Sequence, residues 1–164
     1  MCAKSNLRSS RGFTLTEILI VIALMGILLA LSTFGFSQYQ RKAKMEEQMR
    51  TLYADLMEAR SKALYEKTPR TVKVQANSYA VYPASDATGT PELTRDLKYS
   101  VESSVTTDNV FSAQGILQNV SAKSVCISES NQLSVDAVVI SETMISIGKR
   151  TNGAACASAN ITTK

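Results

Sequence analysis

Histidine and tryptophan are both missing from this 164-residue chain. Without imidazole, no serine or cysteine nucleophile can be activated by a histidine base, and histidine-ligated zinc is excluded. The carboxylates are scattered, no Gly-rich phosphate loop occurs, and the serines have no base to serve them. The chain is therefore expected not to be an enzyme and to need no cofactor or metal. Glu58 and Glu66 are read as solvated or salt-bridged side chains. Charge is scarce as well: of the net +4, Lys4, Arg8 and Arg11 supply most, and the remainder of about +1 is no nucleic-acid footprint. There are three cysteines. Cys2 lies near the start, which leaves Cys126 and Cys156 in the body. If the body is exported to an oxidising compartment, that even pair reads as one disulfide; otherwise both are buried free thiols. Closing a loop of about 30 residues stabilises a fold by roughly 3–4 kcal/mol on the chain-entropy model.

What the chain does have is concentrated at its start. Arg11-Gly12-Phe13-Thr14-Leu15-Thr16-Glu17 leads into the apolar run Ile18 to Leu31. From Phe13 to Phe36 there is no proline, and Glu17 is the only charge. As a helix this stretch reaches roughly 36 Å, enough to cross a bilayer core. The basic leader before it follows the positive-inside pattern and belongs on the cytoplasmic side. A carboxylate at mid-bilayer costs roughly 2.5–3.5 kcal/mol, so Glu17 either sits near the interface or is met by a partner. Gly26 and Gly35 are weak points, since interior glycine costs about 1 kcal/mol against alanine.

Gln38 to Lys67 is charged and helix-favouring, with Met45, Met49, Leu52, Leu56, Met57, Ala63 and Leu64 at steps of three and four. That spacing predicts an apolar stripe packed on a globular domain, on one helix continuous from about Phe13 to Glu66 and stopped by Thr68-Pro69. Beyond Pro69 the pattern is β. Strands are expected at Thr71–Val74, Tyr79–Tyr82, Leu97–Val101, Val110–Leu117, Ser124–Ser128, Leu133–Ile140 and Met144–Ile147, with turns at Asn77-Ser78 and Asn131-Gln132 and a loop from Pro83 to Pro91. The tail, Thr151 to Lys164, is small and polar, without periodicity. The organisation is a leader at 1–12, an apolar half-helix at 13–36, an amphipathic half-helix at 37–67 and a β-rich domain at 68–164. The fold class is α+β, a long N-terminal helix packed on an antiparallel sheet.

Gly12-Phe13-Thr14-Leu15-Thr16-Glu17, with a basic leader before and an apolar helix after, resembles the processing signal of type IV pilins and type II secretion pseudopilins. The order of long helix, β-sheet and C-terminal cysteine pair is similar to that family too. The later part is most similar to FimT-like minor pilins and H-type pseudopilins, through Ala59-Arg60-Ser61-Lys62-Ala63, Phe111-Ser112-Ala113-Gln114-Gly115 and Ile145-Ser146-Ile147-Gly148-Lys149-Arg150. Major pilins commonly carry proline where Phe34 stands. The resemblance implies cleavage between Gly12 and Phe13 by a prepilin peptidase and methylation of the new terminus at Phe13. It implies a single-pass anchor in a bacterial inner membrane with the body periplasmic, and assembly with other pilins or pseudopilins by a membrane platform and its ATPase. Glu17 would pair with the Phe13 amine of a neighbouring copy. FimT-like relatives also suggest DNA contact through Lys149 and Arg150, near Lys164. A rival reading is an ordinary secretory signal, cut after Ala30-Leu31-Ser32 to release a soluble domain starting at Thr33.

Overall fold

The computed structural model describes residues 12–118, 122–129 and 133–164, with the helical side chains at 31–35 excepted. The leader cations, Cys2 and the Asn131-Gln132 turn lie outside the described residues, as does the Phe34 side chain. The chain falls into two compact units, Met1–Gln40 and Arg41–Lys164. One helix, α1, spans Leu15–Glu66.

In the first unit Gly12, Phe13 and Thr14 precede the helix, which starts two residues later than the apolar pattern predicts. From Ile18 to Leu29 every large apolar side chain is exposed, between 41% and 69%. Among the described residues no helix is long and apolar enough to cross a membrane.

In the second unit the amphipathic stripe does what its spacing predicts, with one shift in membership. Met45, Met49, Leu52, Leu56, Ala59 and Ala63 are buried, whereas Met57 and Leu64 are exposed. Those two lie about a quarter-turn off the stripe, and Ala59 takes the place expected for them. The helix ends with Lys67 in the left-handed region at φ 58, ahead of Thr68-Pro69. A residue in that conformation after the last turn is a common helix stop, and proline cannot continue beyond it.

The β region forms two five-stranded antiparallel sheets rather than one. The first contains β1 (Arg70–Val74), β2 (Ser78–Tyr82), β3 (Leu93–Asp96), β5 (Asn109–Phe111) and β6 (Leu117–Gln118), in the order β3-β2-β1-β5-β6. The second contains β4 (Val101–Ser103), β7 (Lys123–Ile127), β8 (Ala137–Ile140), β9 (Ile145–Arg150) and β10 (Ile161–Thr163), in the order β10-β9-β8-β7-β4. Both sheets close one core on the helix stripe, through Val72, Tyr79, Phe111, Val125, Ile127, Val138 and Ile140. Strand alternation sends Cys126, Ala137 and Val139 to the opposite face of the second sheet, where they meet Ile161 in a separate small cluster.

Three expected strands change. Leu97–Val101 is largely irregular and is tied instead to the β1–β2 turn, where the Leu97 and Val101 amides donate to the Asn77 and Ala76 carbonyls. Val110–Leu117 divides into β5 and β6 around Gly115, whose φ of 70 makes the turn. Leu133–Ile140 is strand only from Ala137. Two strands were not expected: β3, a polar edge strand, and β10 in the tail.

Candidate functional site

The N-terminal motif is built as an accessible junction in front of a capped helix. Thr14 is the cap. Its hydroxyl accepts from the Glu17 amide at 3.2 Å, and its carbonyl accepts from the Glu17 and Ile18 amides at 3.1 and 3.3 Å. The Ile18 bond is the first of the helix ladder, whereas the Glu17 amide has no carbonyl four residues back within the helix and is met by the threonine hydroxyl. Thr14 and Glu17 are spaced as a capping box, and Glu17 adds negative charge at the positive end of the helix dipole. That box was legible in Thr14-Leu15-Thr16-Glu17 and was missed, because the apolar period alone was used to place the helix start.

Gly12 and Phe13 stand outside the helix, and Phe13 is 77% exposed. A Cβ added at Gly12 would meet nothing within 4 Å. Nothing within the described chain requires glycine there, so any demand for it comes from outside the fold. Glu17 is exposed on the first turn.

The remaining site residues lie in the second unit and are far apart in role. Cys126 on β7 and Cys156 form a disulfide with Cα atoms 5.9 Å apart. Lys149 is exposed, while Arg150, its neighbour on β9, is buried. The Arg150 guanidinium binds Glu102 and donates to the Ile127 carbonyl at 2.9 Å, and its amide donates to the Asp136 carboxylate at 2.6 Å. The adjacent cations therefore do not act as a pair: one faces solvent, and the other ties β9 to β4 and β7. Lys149 shares a shallow surface depression with Lys164 and Thr162.

Sequence reasoning also passed over a buried polar contact. Asp55 lies within the helix stripe, and its carboxylate accepts from the Tyr79 hydroxyl at 2.5 Å and from Arg95 Nε at 2.7 Å. Burial, reinforced by Asp55, pushes the Tyr79 phenol well above its ordinary range. The available signal was an acid between Leu52 and Leu56 on an otherwise apolar face. Beside it lies an open groove of about 420 Å³ lined by Lys44, Gln48, Tyr79, Arg95, Lys98 and Tyr99. Gln48 fixes its wall by bonding both the carbonyl and the amide of Tyr99, at 2.7 and 3.0 Å. Among the described residues no group of three His, Cys, Asp or Glu is placed to hold a metal ion.

Residues 7–33 match the family model of the prokaryotic N-terminal methylation motif. The fold is similar to the type IV minor pilin FimU of Pseudomonas aeruginosa in two crystal forms. One has a TM-score of 0.57 at 15% identity, covering 68% of this chain and 92% of that one. The other has a TM-score of 0.54 at 17% identity, covering 63% and 91%. No curated protein matches the chain. The chain thus carries a prokaryotic N-terminal methylation motif that runs into a long helix, followed by an antiparallel β domain, and its fold is that of a type IV minor pilin.

Proposed function

We propose that the chain is a structural subunit, a minor pilin or pseudopilin, of a type IV pilus or type II secretion pseudopilus. The observation that carries this reading is the exposed, non-helical Gly12–Phe13 junction directly before a capped helix whose apolar side chains have no cover in their own unit. A peptidase needs extended, reachable backbone, and the glycine is demanded by nothing within the described chain. Cleavage there by a prepilin peptidase leaves Phe13 as a new amino terminus, which is then methylated. Glu17 then lies about one helical turn from that amine and can neutralise the terminus of a neighbouring copy. Leaving either charge unpaired among apolar helices costs several kcal/mol, so the pair sets the register of stacking. The apolar half-helix anchors the chain in the inner membrane with the β domain on the periplasmic side. The platform and ATPase of the machine lift it into a filament with other pilins.

Mass spectrometry of the mature N terminus tests the reading. Methylated Phe13 is the expected result. A terminus at Thr33 overturns it in favour of a secreted soluble domain.

A further inference from the structure

Residues 151–164 double back from β9 and cover both the edge of that strand and the outer face of its sheet. β10 pairs with only part of β9: Ile161 with Arg150, Thr162 with Lys149, and Thr163 with Gly148. Ile161 drops into the small cluster of Cys126, Ala137 and Val139, apart from the main core. Gly148 is the socket for this strand. A Cβ there would come within 2.6 Å of Ile161 Cγ2 and 2.7 Å of the Thr162 carbonyl oxygen, so the missing side chain is what lets β10 lie flat against β9. The connecting segment is small and polar and turns at Gly153, with φ 73. A short strand and four buried side chains are a slight hold on a segment whose ordering costs entropy at every residue. The covalent hold is the Cys126–Cys156 bond.

We propose that this disulfide decides which sheet β10 completes. Closed, it commits the strand to its own chain. Open, residues 151–160 extend over roughly 33 Å and β10 fills the β9 edge of a second copy. The occupant is β10 itself, because the socket at Gly148 and the cluster around Ile161 are shaped for that strand in that register. A second copy's Ile161–Thr163 would make the same backbone bonds and the same apolar contact, and mutual exchange closes a two-fold pair with no β9 edge left bare. Opening the bond takes a dithiol. It gives two electrons and leaves as its own disulfide, the Cys126–Cys156 bond breaks, and each sulfur takes a proton. This inference does not depend on processing at Gly12–Phe13.

The test uses two full-length copies carrying different tags, co-expressed in membranes, both with Cys2→Ser. One carries Lys149→Cys and the other Thr162→Cys, either with the native cysteine pair or with Cys126→Ser and Cys156→Ser together. Oxidative cross-linking followed by a non-reducing denaturing gel reports only covalent pairing between copies. The expected result is about tenfold more heterodimer in the serine background. Equal heterodimer in both backgrounds overturns the proposal, as does a yield no higher than for Lys149→Cys with Thr94→Cys, a pair on different sheets that measures crowding. A single copy bearing Lys149→Cys and Thr162→Cys in the serine background shows whether β10 docks at all. If that chain cross-links neither internally nor to another copy, the strand cannot form without the bond and the proposal fails.

Discussion

Leu24 and Leu52 are carried by the same helix, yet Leu24 is 56% exposed and Leu52 is fully buried. Both halves of α1 are rich in helix formers. They differ in what the rest of the chain offers them. Around residues 45–63 two sheets close over one stripe, and the opposite side is charged. Around residues 18–29 the helix is apolar on every side and has no cover within its unit. A helix that is hydrophobic all round needs lipid or other helices as its solvent. The second half is therefore a fold element and the first, on the proposed function, an assembly element, and the variants that separate them should fail in different ways.

The largest effect is expected at Glu17. Glu17→Ala keeps Gly12, Phe13 and the apolar run, so cleavage and membrane insertion should proceed normally. Entry into filaments beside wild-type copies should be lost, as read by the tag content of sheared filaments. Normal incorporation would remove the pairing role. The unfolding of residues 41–164 should not change, because Glu17 belongs to the other unit.

Leu52→Ala is the converse. Truncating a fully buried leucine costs about 2–5 kcal/mol, from lost burial and the cavity left behind. The midpoint of urea unfolding of the detergent-solubilised chain, followed by the β signal, should fall by that free energy divided by the m-value. Leu24→Ala should leave the same curve in place. If the two variants destabilise equally, the halves of the helix are not energetically distinct.

How far the sequence told these halves apart depends on the kind of signal. The stripe from Met45 to Ala63 is periodic and the apolar run after Glu17 is unbroken, each over many residues, so both were legible. The β1–β2 hairpin was legible from its β-branched residues, although its turn centres on Ala76-Asn77, one residue before the Asn77-Ser78 expected, and Ser78 opens β2. β3 was not, since Leu93-Thr94-Arg95-Asp96 carries one half-buried apolar residue and is a strand only because β2 bonds it in register. β10 went unseen for a similar reason. Ile161-Thr162-Thr163 is β-branched, but three residues are too few for a period, and the close approach at Gly148 is a tertiary fact. The N-terminal methylation motif was legible as spacing. Its accessibility, and the cap that sets where the helix begins, needed coordinates.

A smaller effect comes from pH, and it is confined to the second unit. Glu92 accepts from Lys62 at 2.7 Å and also binds Arg70, which itself binds Glu66 at 2.5 Å. The Lys62 hydrogen bond, helped by Arg70 and opposed by burial, holds the Glu92 carboxyl below its ordinary range. A lowered folded value means that the unfolded chain binds the proton more readily. The contribution is thus whole above the ordinary carboxylate range and is lost as pH falls through the folded value. Lys62 has the opposite sign: Glu92 and Glu58 raise it, so its contribution is whole below its ordinary range and is lost as pH rises through the folded value. Lys123 is buried and donates to the Thr107 and Asp108 carbonyls, and burial lowers it, so stability should recover slightly as pH climbs towards its ordinary range. Glu92→Gln should flatten the acid limb of melting temperature against pH while leaving Lys123's alkaline recovery intact. An unchanged acid limb would show that the Glu92 ion pairs add nothing to the fold.

The smallest effect sharpens the comparison most, because it acts where the helix has only local support. In the second unit tertiary packing would hold a helical turn in place even if a cap were lost. At the start of α1 the bonds to Thr14 are the ones that satisfy the first amides. Thr14→Ala should therefore cost about 1 kcal/mol locally and fray the first turn, whereas Thr14→Ser should cost little, because serine offers the same acceptor. Amide hydrogen exchange in detergent micelles reads this directly, with Glu17 and Ile18 exchanging about fivefold faster in the alanine variant. Exchange at β7 and β8 should stay unchanged in both. If Thr14→Ala leaves Glu17 protected, the start of the helix is held by something other than its cap. Its apolar half would then have a partner that the folded chain alone does not provide.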